Sequence, residues 1–175
     1  MDEDPEYELT ITHLCEEAED CEEPLRRAIE GALRQHHVSH ARINVALVTD
    51  DIIAELNERH LSNRGPTDVL AFDLRFEPSS EEDPASTPAP ACRRTDQTTH
   101  AVDGELVLSV DTARRESSWR NHSANAELAL YAVHGVLHLL GYDDSDSGSA
   151  AQMHEVEDQI LCDVGIGAIY GTEPR

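Results

Sequence analysis

One segment constrains this chain more than any other: ANAELALYAVHGVLHLLG, residues 124–141. It carries the strongest helical pattern in the sequence. Val136, Leu137, Leu139 and Leu140 surround its second half with apolar bulk. A helix apolar around most of its circumference belongs inside a fold, so the other elements must pack against it. Gly141 ends it, in the position after a helix where a left-handed backbone is needed.

Two polar residues interrupt the apolar run, His134 and His138. Side chains four apart on a helix stack on one face, so these imidazoles can share one cation. Past the glycine stop come Tyr142, Asp143 and Asp144, which return acid towards the same spot. His134, His138 and Asp144 form a two-imidazole, one-carboxylate set, a donor set of catalytic zinc sites that leaves a fourth position for water. Two histidines at this spacing alone are weak evidence, because ordinary core or surface histidines also fall so. The apolar setting, the stop and the following acid are what raise the metal reading. Zinc peptidases of the H-E-x-x-H type place a glutamate base after the first histidine. Here that position is Gly135, so peptide hydrolysis is disfavoured.

The remaining chain alternates short strand and helix patterns. Strands are expected at 7–13, 41–50, within 65–74 and at 104–110. Helices are expected at 24–37, from Asp50 or Asp51 through His60, from Asp111 or Thr112 onwards, and at 150–165. In the last, Met153, Val156, Ile160 and Leu161 form the apolar side. Residues 77–103, rich in proline, serine, threonine and acid, lose all periodicity and read as a long mobile loop. There is no regular βαβ alternation. The expected fold is α+β, a small mixed sheet packed by helices, in a single domain spanning 1–175.

Charge narrows the function classes. The formal net charge is −23, and every basic side chain is arginine. Patch-driven binding of nucleic acid needs a cationic surface, so only a local arginine-lined site could serve that purpose here. Cys15, Cys21, Cys92 and Cys162 have no metal-type spacing and read as reduced thiols of a cytoplasmic protein. The acidic start MDEDPEYE is unlike a signal peptide, and no apolar run approaches the length of a membrane span, about 20 residues.

With these residues in view, the chain resembles the YbeY-type endoribonucleases. HGVLHLLGYD is similar to their signature. LNERHLSNRGPTDVLAF (56–72), GELVLSVDTARRES (104–117) and QMHEVEDQIL (152–161) resemble three further family segments. The resemblance implies an α+β fold with a zincin-like helix and one metal ion, usually assigned as zinc. It also implies hydrolysis of single-stranded RNA in late maturation of small-subunit ribosomal RNA and in ribosome quality control. Ribosomal RNA and the small ribosomal subunit with its proteins would be the partners, with no membrane involved.

Two departures stand out. The family's third metal histidine is replaced by Asp144, which hardens the ligand set and makes manganese or iron better competitors of zinc. A family arginine that precedes the PT dipeptide falls on Leu61, leaving Arg59 and Arg64 as neighbours able to reach a phosphate, Arg64 first. Asp68 and Ser109 are further cleft candidates whose ordinary roles are turn formation and strand-edge bonding. His60, His100, His122 and His154 read as surface histidines. Trp119, the only tryptophan, could stack on a base, although a lone aromatic on a helix is usually core. Two other readings remain open: a non-catalytic, metal-stabilised assembly factor of the small subunit, and a hydrolase of another phosphorylated substrate.

Overall fold

A computed structural model describes residues 4–15, 20–75 and 101–170. The elements follow the order β1 (Glu6–His13), α1 (Glu22–Gln35), β2 (His40–Val48), α2 (Asp50–Leu61), β3 (Val69–Asp73), β4 (Ala101–Ser109), α3 (Val110–Arg120), α4 (Ala124–Leu139) and α5 (Ser147–Asp163). The four strands form one mixed sheet in the order β1-β2-β4-β3. β1, β2 and β4 run parallel, and β3 is antiparallel at one edge. The α+β expectation is met.

Local chemistry accounts for the order. Leu106, Val107 and Leu108 of β4 are buried in succession, the signature of a strand covered on both faces, and β4 is internal. β1 alternates exposed and half-buried residues and takes an edge. One face of β4 meets α4 and the main core. The other face offers Val107 to a smaller cluster with Val48, Ile53 of α2 and Leu70 of β3. α4 is the hub of the main layer, and most of its residues are buried. It lies close to the sheet at Gly135, where a Cβ would stand 2.7 Å from a Leu106 methyl and 3.2 Å from one of Val69. A peptidase-type glutamate has no room at this position.

Several boundaries differ from the sequence expectation. The Pro/Ser-rich segment ends three residues early: Ala101, Val102 and Asp103 already belong to β4, pairing with His40, Ala41 and Arg42. Val102 is buried and Asp103 carries an ion pair with Arg42, which explains why an aperiodic-looking tripeptide is held as strand. Residues 77–100 of the expected loop lie outside the described residues. α5 starts at Ser147, because Asp146 closes a capping box with Ser149. α3 is capped by Ser109, whose Oγ accepts from the Thr112 amide, and not by Asp111 or Thr112. Ser109 is fully buried and serves the fold. Trp119 is 84% exposed and no part of the core.

Asp50 and Asp111 tie α2 to α3. Asp50 accepts hydrogen bonds from the hydroxyls of Ser109 and Thr112 and from Arg115 Nη1 at 2.9 Å. Its own backbone amide donates to Asp111 Oδ2 at 2.9 Å. Desolvation opposes ionisation of Asp50, but the three donors and the Arg115 charge outweigh it and hold the pKa below the ordinary carboxylate value. A depressed folded-state pKa contributes stability above the unfolded-state value, and that stability is lost as pH falls through the folded-state value. Asp50→Asn should therefore lower unfolding free energy by about 2 kcal/mol at pH ~7. The deficit should shrink at acid pH, as pH falls through that lowered folded-state value. Denaturant titrations of both proteins at neutral and acid pH measure this.

Candidate metal centre

The centre is built at the C-terminal end of α4. His134 and His138 project from the same helical stripe and are only partly exposed. The buried carboxylate of Glu157, reaching in from α5, accepts from His134 Nδ1 at 2.7 Å. The backbone carbonyl of Tyr142 accepts from His138 Nδ1 at 3.0 Å. Neither a carbonyl nor a carboxylate can donate, so both imidazoles carry their proton on Nδ1. Both Nε2 atoms then face inward, 2.9 Å from each other. Two lone pairs at that distance repel unless a proton or a metal cation lies between them. Two imidazoles bound tetrahedrally to one zinc stand about 3.3 Å apart, given Zn–N lengths near 2.0–2.1 Å, so little movement is required.

Asp144 completes the set. Its Oδ2 lies 3.7 Å from His134 Nε2 and its Oδ1 3.9 Å from His138 Nε2. Ligand atoms of the three residues all fall within 4.8 Å of one another, the only such His/Cys/Asp/Glu group found among the described residues. The turn that delivers Asp144 is itself held. Gly141 adopts φ +95°, a left-handed conformation suited to glycine, and its amide bonds to the His138 carbonyl. The Tyr142 hydroxyl donates to Nε2 of His36, the C-cap of α1, at 2.9 Å, while His36 Nδ1 donates to the Ala32 carbonyl. Asp143 accepts from the amide and hydroxyl of Ser145 and so stiffens the turn without reaching the site.

A cavity of about 380 Å³ opens over the three side chains. Thr67, Asp68, Val69 and Ala71 form one wall, and Leu130, Tyr131, His154 and Tyr170 line the remainder. Burial disfavours charge on His134. The hydrogen bond and charge of Glu157, joined by Asp68 and Asp144, prevail and hold its pKa above the ordinary value. Burial first, and then the nearby Glu127 and Asp68 charges, push the Tyr131 hydroxyl well up, so it remains protonated.

The expected arginines lie elsewhere. Neither Arg59 nor Arg64 lines the cavity. Arg59 pairs with Glu55 one turn back on α2, and Arg64 is 91% exposed with a loose 3.7 Å approach to Glu58. Asp68 does line the cavity, while its Oδ1 also accepts from Thr67 and from the Val69 amide. His154 is no isolated surface histidine. It lines the cavity and stacks on Tyr170 with ring centroids 3.9 Å apart. His122 pairs with buried Glu127, and His60 meets Phe72 edge-on. His100 and Cys92 lie outside the described residues. Cys15, Cys21 and Cys162 are remote from the ligand set in sequence and absent from the cavity lining.

Residues 9–165 match the family model described as endoribonuclease YbeY. The chain belongs to the YbeY endoribonuclease family. It is 38% identical over 143 residues to endoribonuclease YbeY of Moorella thermoacetica, covering 81% of this chain and 85% of the relative. To the Parafrankia sp. endoribonuclease YbeY it is 35% identical over 123 residues, covering 69% and 70%. The solution structure of TM1509 from Thermotoga maritima shares the fold, with a TM-score of 0.57 at 23% identity over 89% of this chain and 88% of that one. Among the described residues no helix is long and apolar enough to cross a membrane.

Glu157 is the residue that sequence reasoning missed. It stands on the same α5 stripe as Met153, Ile160 and Leu161, an acid within a buried apolar face. Such an acid must have a partner. Glu157→Gln keeps the shape but removes the charge that makes His134 a stronger ligand. It should weaken zinc or manganese binding by roughly ten-fold or more, read by competition with a chromogenic chelator.

Proposed function

We propose that this chain is a metal-dependent endoribonuclease that hydrolyses single-stranded RNA in late maturation of small-subunit ribosomal RNA and in ribosome quality control. One observation carries the metal part: two imidazoles locked in the same tautomer aim their free nitrogens at a common point beside a carboxylate. In this reading His134, His138 and Asp144 hold one zinc ion, with manganese or iron favoured more than in an all-histidine set. A divalent ion held there supplies a Lewis acid and a source of hydroxide near neutral pH.

The protein's own groups do the rest. Glu157 and the Tyr142 carbonyl fix the imidazoles. Tyr131 lines the cavity with its hydroxyl protonated and hydrogen-bonded to Glu127. Asp68 and Asp144 make the cavity acidic, which disfavours a phosphodiester until a cation offsets them. Arg64 lies two residues before the rim segment Pro66–Asp68 and has an exposed guanidinium, which supports it as a contact for the approaching phosphate. Arg64→Gln should raise KM for an oligoribonucleotide about ten-fold with kcat little changed, in steady-state cleavage assays.

The family membership supports ribonuclease chemistry, and ribosomal RNA with the small subunit is the proposed partner in the cytoplasm. Purified chain is expected to carry close to one metal ion per molecule by mass spectrometry. His138→Ala and Asp144→Ala should lose both the ion and RNA cleavage. Full cleavage by nuclease-free His138→Ala would sink the proposal. Among the described residues no arginine lines the cavity over the ligand set, which favours a second reading, a metal-stabilised assembly factor that cuts nothing. Small-subunit association that survives in both ligand variants, with no cleavage by metal-loaded wild type, would select it.

A further inference from the structure

A second cavity, also of about 380 Å³, adjoins the first and shares with it Thr67, Asp68, Leu130, Tyr131 and Tyr170. Its other wall is α3, which contributes Thr112, Arg115, Glu116 and Arg120. The α3 residues 112, 115 and 116 stand at i, i+3 and i+4. The next position of that stripe, i+7, is Trp119. Trp119 thus stands on the α3 face that lines the cavity, and it is 84% exposed.

Three features of this stripe need a common cause. Burying an indole is strongly favourable, and the only tryptophan of the chain is left in water. The two arginines that line either cavity over the described residues lie here, in a chain of net charge −23. Both are held in place from behind. Arg115 bonds Asp50 and the Thr112 hydroxyl at 2.9 Å each, and its side chain remains 48% exposed. Arg120 reaches buried Glu127 at 3.4 Å, packs its guanidinium 5.5 Å from the Tyr170 ring centroid and remains 39% exposed. A guanidinium has five N–H donors, so these bonds orient each head without exhausting it. Preset cations beside an exposed aromatic face, continuous with a phosphodiesterase-type centre, match the recognition of single-stranded nucleic acid by phosphate contact and base stacking.

We propose that the outer stripe of α3 is the binding subsite for the single-stranded RNA flanking the scissile bond, with Trp119 stacking on a base and Arg115 and Arg120 meeting phosphates. This assignment rests on the nuclease reading above and adds the surface that holds the substrate. Stacking tolerates any base, so the subsite confers strandedness preference and little sequence preference.

Trp119 is also its own reporter, since no other tryptophan emits. The full metal-loaded chain is mixed with a single-stranded oligouridylate in a stopped-flow fluorimeter and read before turnover. Quenching of indole emission that saturates with RNA, and that duplex RNA does not reproduce, is expected. Trp119→Ala should raise KM roughly ten-fold with kcat preserved, and Trp119→Phe should restore most of the loss. Unchanged emission at RNA concentrations that saturate cleavage, with unaltered KM in Trp119→Ala, would overturn the assignment and leave this surface to a protein partner. Quenching by RNA that metal-loaded wild type never cleaves would keep the subsite and overturn the nuclease reading.

Discussion

Everything at the centre depends on two hydrogen bonds made by atoms that face away from it. The Nδ1 protons of His134 and His138 are taken by a buried carboxylate and by a backbone carbonyl, and only because of this do both Nε2 atoms converge. Helical spacing alone brings the rings side by side but leaves each free to rotate and to exchange tautomers. The fold is arranged around removing that freedom. α5 is placed to deliver Glu157, and α1 holds Tyr142 through His36 so that its carbonyl stays beneath His138. Glycine at 135 lets the ligand-bearing helix settle on Leu106 and Val69, which fixes the height of both rings above the sheet.

The clustering of the candidate ligands was readable in the sequence because it is local. His134, His138 and Asp144 fall within eleven residues, and a helix followed by a glycine stop determines where such a short stretch points. The elements were legible for a related reason, since burial on one face imprints a period on the residues. Whatever depended on distant pairing was not legible. Glu157 lies 23 residues from His134, and its burial was masked by reading Val156 as the inward residue of α5. Residues 101–103 carry no strand pattern of their own and are strand because β2 pairs with them. The arginine problem has the same origin. Proximity in sequence to the PT dipeptide pointed to Arg59 and Arg64, whereas the arginines that line a cavity come from α3, which the sheet brings alongside.

Charge is the second organising theme. An acidic chain that handles a polyanion needs its cations concentrated where they are used. Over the described residues, the cavity above the ligand set offers carboxylates and histidines, while the neighbouring one, which also holds Asp68, Glu116 and Glu127, adds two arginines braced by Asp50, Thr112 and Glu127. The braces serve fold and site at once. The Asp50 network that joins α2 to α3 also sets the direction of the Arg115 guanidinium. Acid elsewhere on the surface opposes unspecific adhesion of a polyanion.

Asp144 differs from its two partners in one respect: its side chain is 44% exposed and rides on the turn after α4, whereas the imidazoles, 19% and 31% exposed, are carried by the helix itself. The three ligands are thus unequal in how readily each can let go. Two form a rigid seat, and the third is a hinged arm open to water and to competing chelators. If the cluster holds an ion as proposed, exchange would proceed through release of that arm, without opening the fold. Such a site would be labile, and its occupant would follow the divalent ions that the surroundings supply.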